Sequence, residues 1–448
     1  MLRLASPPGL RASILSRTMT MLVLSILWLL FRPGTLWAYP SNDGDGQDQQ
    51  TVKLLLQRIE QLEADQKALK DRVAQLESAQ KPVPTGNSEI VPASAQVNAH
   101  FGEQTETLEP EKMDVSKTLL NIRGFGDFGL YGGNQKGQTT SFSLGELNLF
   151  VTSNISDRFK FLSEIVFEAN DGESPSTQGP INAFKVEPER VLLQYSLNDY
   201  FNLSAGRYHT AIGYYNTAYH HSTWLQTTTA RPFLFEFEDD GGILPVHTVG
   251  VSASGEIPSG SLGLHYVAEA GNGRASRSPL SEPVQNVVDE GNRKAVNVAL
   301  FARPDAVPGL QVGFSGYRDV LYPEFSPKIG ETIVDAYAVL ARSDFEWLNE
   351  GLVIRHALQG APHVFDTPGF YSQISERFGS YRPYFRYQYV NAPSNEPVFP
   401  DVGLRSGPSV GVRYDANESV ALKLQYDYTA LRRQPGVSTL GLQVGFTF

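Results

Sequence analysis

The chain has 448 residues with 40 glycines, 20 tyrosines, 25 phenylalanines, no cysteine and a formal charge of −11 at neutral pH. It is long for one small domain, although β-barrels run large as single units. The acidic balance argues against nucleic acid as the main partner, since there is no basic excess to neutralise phosphates. The absence of cysteine excludes disulfides, thiol catalysis, cysteine-ligated metal and a lipid-modified N-terminal cysteine.

Residues 1–38 read as a secretory signal. Arg3, Arg11 and Arg17 give a positive leader, Met19 to Phe31 form a short apolar core, Pro33 and Gly34 break the helix, and Ala38 offers a small residue before Tyr39. The leader is long and Leu36 is a poor residue at its position; the competing reading is an uncleaved inner-membrane anchor, against which the short core counts. No apolar run reaches the roughly 18 residues that a spanning helix needs. A chain that spans a membrane without such a helix must do so as a closed barrel, which satisfies every backbone group in lipid.

A spacer over 39–50 leads to a heptad segment over 51–80. Val52, Leu55, Ile59, Leu62, Gln66, Leu69, Val73 and Leu76 form its seam, with leucine at every d position. The g-to-e′ pairs Arg58–Glu63, Asp65–Lys70 and Arg72–Glu77 are opposite in sign, the arrangement that fixes partner and register in a parallel coiled coil. Gln66 at an a position lowers stability but specifies register. The alternative is an amphipathic helix packed on another domain. Residues 81–117, with prolines, small polar residues and no sustained period, read as a flexible linker.

From Thr118 onward, short alternating runs are separated by Gly, Pro, Asn and Asp turns, giving an antiparallel all-β barrel domain over 118–448. About sixteen strands are predicted, at 118–131, 140–153, 157–169, 184–196, 200–208, 246–257, 260–270 and 293–303 in the first half. The second half carries 308–318, 330–342, 344–357, 367–378, 380–391, 407–415, 418–429 and 437–448. Short links such as 154–156, 197–199, 258–259 and 416–417 alternate with long ones such as 170–183, 209–245, 271–292, 319–329 and 392–406. Transmembrane barrels with short periplasmic turns and long outer loops show this regime.

Two-face patterning assigns lipid to the outside and water to the inside. Val420, Leu422, Leu424, Tyr426 and Tyr428 are predicted to face out, leaving Ala421, Lys423, Gln425, Asp427 and Thr429 within. Arg382, Arg386 and Arg413 alternate with outward tyrosines and valines, and Glu164 with outward Phe161, Ile165 and Phe167. Charges at inward positions are costly in a dry core and cheap in a water-filled lumen. The last strand places Leu440, Leu442, Val444, Phe446 and Phe448 in one row and is expected to close the barrel against the strand near Leu120.

The order of signal, short coiled coil, linker and sixteen-strand barrel ending in Phe448 resembles the trimeric outer-membrane porins. It is most similar to the phosphate-selective porin O/P group and its relatives with an N-terminal coiled coil. The resemblance implies a homotrimer in the outer membrane of a Gram-negative-type bacterium, with the coiled coil in the periplasm. It also implies passive diffusion of small hydrophilic solutes or ions and a terminal Phe448 that signals to the barrel-assembly machinery. No cofactor and no enzymatic activity are expected. Barrel-half lysines are scattered rather than arranged in a ladder, so phosphate selectivity does not carry over.

The long link 209–245 carries His209, His220, His221, Trp224, Arg231, Glu236, Glu238, Asp239 and Asp240. A link this long is functional or unstructured, and its Phe233, Leu234, Phe235 and Phe237 argue for burial. We expect a pore constriction whose acids face a basic wall of Arg190, Arg382, Arg386, Arg413 and Lys423, the transverse field filtering solutes by charge. An external lid, or a loop embracing the next subunit, is the alternative. Adjacent His220 and His221 point opposite ways on an extended segment, with no third ligand at a familiar spacing, so no metal is expected there. Gly124-Phe125-Gly126-Asp127-Phe128-Gly129 matches a nucleotide fingerprint by letter but lacks the following helix; its glycines fit a strand bend. There is no G-x-S-x-G elbow. A structural envelope-tethering barrel and an outer-membrane hydrolase, for instance through His220 and Ser222, stand as alternative functions.

Overall fold

The computed structural model describes residues 119–135, 139–170, 183–219, 223–238, 241–275, 287–323 and 326–448. The predicted signal, spacer, coiled coil with its seam, and linker lie outside the described residues, as do His220, His221, Asp239 and Asp240.

Sixteen strands follow the predicted ones to within a few residues. The first eight are β1 (Leu119–Gly133), β2 (Ser141–Asn154), β3 (Phe159–Asn170), β4 (Ala183–Asn198), β5 (Phe201–His209), β6 (His247–Ile257), β7 (Leu264–Gly271) and β8 (Ala295–Ala302). The rest are β9 (Leu310–Leu321), β10 (Ile329–Ala341), β11 (Phe345–Leu358), β12 (Val364–Glu376), β13 (Tyr381–Asn391), β14 (Leu404–Asp415), β15 (Val420–Leu431) and β16 (Gln434–Thr447). Each pairs antiparallel with its sequence neighbours, and β16 pairs with β1, so the sheet closes. Closure leaves no unpaired edge. Where a boundary moved, a turn explains it: the start of β7 is delayed by a 3-10 turn at Gly260–Leu262, ending on Gly263 at φ 56°.

The last strand closes the barrel against the strand that holds Leu120, as expected. The ladder runs from Phe125 opposite Thr447 to Gly133 opposite Thr439, while Leu120 pairs with Ser153 of β2. A barrel's strands are staggered by its shear, so the first residues of β1 overhang the end of β16. Phe448 sits at the corner. Its N–H donates to the Gly124 carbonyl at 3.0 Å and its carbonyl accepts from Gly124 N at 2.8 Å. A Cβ on Gly124 would lie 2.3 Å from the Phe448 ring, and one on Gly126 2.7 Å from the Phe446 ring. The glycine pattern is thus a bare floor under two C-terminal aromatic rings that stack with centroids 6.3 Å apart.

The two faces separate as the alternation requires. On β15, Leu422, Tyr426 and Tyr428 are exposed, while Ala421, Lys423 and Gln425 are buried. On β13, Tyr381, Phe385 and Tyr387 point out and Arg382, Arg386 and Gln388 point in.

The interior departs from a water-filled lumen. Inward apolar residues of β8–β12, among them Phe301, Tyr317, Ile333, Leu352 and Tyr371, form one continuous core with Ile212, Tyr215, Leu234, Phe235 and Leu244 of the segment 210–246. Val398, Phe399 and Val402, from the segment 392–403, join the same core. This half of the barrel is packed, because the loops bring in enough apolar area to exclude water.

Candidate functional site

The segment 210–246 leaves β5, enters the barrel and returns to β6. Its backbone is irregular, with one turn of helix at Tyr215–Ala218 (α1) and 3-10 turns at Thr223–Leu225 and Phe233–Phe235. A buried irregular chain must find partners for its amides and carbonyls elsewhere. The inward residues of the wall supply them, and their charges sort by strand.

Acids receive the N–H groups. Glu269 of β7 accepts from Ala211 N at 3.0 Å. Glu350 of β11 accepts from Tyr214 N at 2.6 Å and Tyr215 N at 3.2 Å, and from the Tyr371 hydroxyl at 3.0 Å. The carboxylate therefore caps the start of α1. Glu346 accepts from the hydroxyls of Tyr219 at 3.0 Å and Thr227 at 3.2 Å.

Cations receive the carbonyls. Arg386 donates to Ala230 O at 2.9 Å and the Thr228 hydroxyl at 3.2 Å. Arg413 donates to Trp224 O at 2.6 Å and Gln226 O at 2.9 Å. Lys423 donates to Thr223 O and, at 2.7 Å, to Thr228 O. Neutral amides finish the seam, Gln425 taking Thr229 N at 3.0 Å and Gln388 taking Phe233 N at 3.0 Å. At the far end, Trp224 reaches β1, its ring 5.8 Å from that of Phe125. The segment therefore runs as a chord, from its root at β5 and β6, past β7 and β11–β15, to β1.

The predicted acid-against-base gap takes a different form. Arg386, Arg413 and Lys423 meet loop carbonyls rather than loop carboxylates, which is why Arg386 is only 1% exposed. Arg190 pairs with Glu164 on the neighbouring strand at 2.6 Å. Arg382 donates to Ser343 O at 2.9 Å. Arg231 staples the segment to itself, donating to Phe235 O and Tyr219 O with its guanidinium 4.2 Å over the Phe237 ring. His209 ends β5 with Nδ1 3.0 Å from Asn216 O and its ring against His247.

Of the described acids in the segment, Glu238 is buried at the root and accepts from His247 N at 3.0 Å. Burial alone would raise its carboxyl, but His247, charge and hydrogen bonds together, holds it below the usual carboxylate range. Burial likewise pushes the Tyr215 hydroxyl up to about 12, against Arg231 and Arg386 nearby. Glu236 meets Arg405 of β14 at 3.5 Å, with both side chains partly exposed.

Partly exposed inward charges continue on the other side of the chord. Arg413 and Arg377 share Asp415 at 2.7 and 2.8 Å, and Lys185 pairs with Glu187 at 2.5 Å and Glu168 at 3.6 Å. A second inward loop, 392–403, is pinned by Glu396, which accepts from Val398 N at 2.8 Å and contacts His356 Nδ1. The Nε2 of His356 lies 2.7 Å from Glu331. Among the described residues, no group of three or more His, Asp or Glu is placed to hold a metal ion.

Glu269, Glu346, Glu350 and Arg405 were not singled out from sequence. Their signal was present: each is a polar residue at an inward position of an alternating strand. What the sequence lacked was the path of the loop that makes those positions matter.

No family model matches the chain, and no characterised protein matches it in sequence. Solved structures do match in fold. The outer membrane channel DcaP of Acinetobacter baumannii is 9% identical and superposes with a TM-score of 0.51, over 76% of this chain and 100% of that one. OmpF of Salmonella typhi, in complex with daunomycin, is 10% identical with a TM-score of 0.50, over 73% of this chain and 97% of that one. At these identities the likeness establishes a shared porin-like barrel architecture.

Proposed function

We propose that the protein is an outer-membrane porin through which small hydrophilic solutes or ions pass by diffusion, narrowed by the segment 210–246. The observation that carries this reading is the chord itself. A long connection is drawn into the barrel and tied by charge-assisted hydrogen bonds to wall residues of β7, β11 and β13–β15. A lid outside the barrel would need none of those inward partners. The apolar outer face and the porin-like architecture support a place in the outer membrane. The described solved structures include a protein named as an outer membrane channel. In this reading the barrel is a homotrimer assembled with help from the coiled coil over 51–80, Phe448 is the assembly signal, and the chain is not an enzyme.

Solute passage lies on the side of the chord away from the packed core, past Glu236, Arg405, Arg413, Asp415, Lys185 and Glu187. Acids and bases on this side are paired with one another, which favours a general pore over a phosphate-selective one. Lys423, the one lysine among the residues expected to line the lumen wall, is occupied with loop carbonyls. The packed half of the interior gives a specific reason to weigh a second reading, a plugged structural barrel. Single-channel conductance with reversal potential is the test. Reversing Glu236 to Lys should shift ion preference; equal preference in both proteins would remove the segment from the permeation path. A silent bilayer together with no liposome swelling would favour the structural reading, and release of fatty acid or peptide a hydrolase.

A further inference from the structure

The outward face of β13–β16 carries no charged side chain, as befits a surface in hydrocarbon. The outward face of β9–β12 is different. Near the rim that carries the long loops, Arg318, Thr332, Arg355 and Asp366 are register partners in one row across four adjacent strands. Arg355 makes a two-pronged pair with Asp366 at 2.7 and 2.8 Å, and Arg318 is exposed with no charged partner among the described residues. Both arginines lie three residues from a strand end, roughly 10 Å along the strand. A guanidinium facing lipid is costly at mid-membrane and tolerable near the headgroups, where it attracts anions.

Four residues down the same strands, a second row reads Phe314, Ala336, Gly351 and Phe370. The small central pair leaves a groove of about 920 Å³ between two exposed rings, extended by Leu300 and Val312, with a mainly apolar lining in which Asn349 and Ser372 hydrogen-bond to each other. The separation between the rows is roughly 13 Å at the usual rise per strand residue. A cationic row above an apolar groove on one face matches the two ends of a single molecule.

We propose that this face holds an amphiphile with a phosphate-bearing headgroup, drawn from the membrane leaflet on the long-loop side. The phosphate sits on Arg318 and Arg355 beside the Thr332 hydroxyl, and an acyl chain lies in the groove between Phe314 and Phe370. A guanidinium fork suits phosphate oxygens: Arg318 presents its own, while Arg355, whose Nε and Nη2 are held by Asp366, adds only Nη1 from the alternate strand, so the row carries one net positive charge. A second copy that met this face through β13–β16 would bring no outward acid to answer the arginines. The proposal rests on the membrane reading above, but not on any solute passing through the barrel.

The test is native mass spectrometry of the full-length protein in detergent, titrated with phosphatidic acid, with phosphatidylcholine and with inorganic phosphate. Phosphatidic acid should bind at least about tenfold more tightly than phosphatidylcholine, consistent with one charge-assisted contact. The double variant Arg318→Gln/Arg355→Gln should lose that preference, and Ala336→Leu, which fills the groove, should weaken both lipids. All variants should remain heat-modifiable barrels with unchanged conductance. Equal binding of phosphatidic acid to wild type and double variant overturns the headgroup site. Inorganic phosphate that competes as well as the lipid overturns the groove's part. A change of oligomer mass in Ala336→Leu puts a second copy on this face instead. Loss of conductance in the wild type would strike the channel reading and leave this one standing.

Discussion

Arg413→Met tests whether wall charges hold the chord in place. The guanidinium supplies two hydrogen bonds to the loop tip, at 2.6 Å to Trp224 O and 2.9 Å to Gln226 O. Asp415, with which it also pairs, keeps Arg377 at 2.8 Å, so the substitution strands no acid. Charge-assisted bonds are worth about 1.5–3 kcal/mol each. Water re-solvates part of the site, because the Arg413 side chain is 12% exposed rather than sealed. A net loss of about 2–3 kcal/mol in docking of the tip is expected, or roughly 30- to 150-fold in the docked-to-undocked ratio. The strand ladder is untouched, so barrel melting should hardly move. In planar bilayers the variant should show larger mean conductance and more flicker, and limited proteolysis should cut within 223–230 sooner. Unchanged conductance, noise and cleavage together would refute the idea that these bonds set the pore. Arg413→Lys should fall between, keeping the charge but losing the fork.

Gly126→Val should lower the yield of folded barrel in the membrane, as should removal of Phe448. A Cβ at position 126 meets the Phe446 ring at 2.7 Å, so the ring must leave its place over the glycine; equal heat-modifiable band intensity would contradict the expected loss. Deleting 51–80 should weaken oligomers while leaving a folded barrel, read as native mass by light scattering. Glu238 is held below its usual range despite burial, through His247. A carboxyl lowered in the folded state stabilises above its unfolded pKa, and that contribution is lost as pH falls through the folded one. Docking of the loop root should therefore weaken in acid, below the ordinary carboxylate range. Glu238→Gln should flatten that dependence, measured as conductance against pH.

Alternation of period two, interrupted by turn residues, was enough to place sixteen strands, to put Lys423 and Arg386 inside, and to put Tyr426 and Phe385 outside. These are local facts, since a strand's side chains must alternate whatever it pairs with. The register was another matter. The last strand was expected to close against the strand near Leu120 and does so, but its residue-by-residue match with Phe125–Gly133 depends on all sixteen pairings together. The loop shows the same division. Its length and its Leu234 and Phe235 announced burial, but Arg413 and Arg386 facing carbonyls, and Glu350 capping α1, depend on the course of an irregular backbone. No periodicity encodes that course. The outer face was least legible of all: Arg318 and Arg355 are far apart in sequence and become neighbours only when β9, β10 and β11 lie side by side.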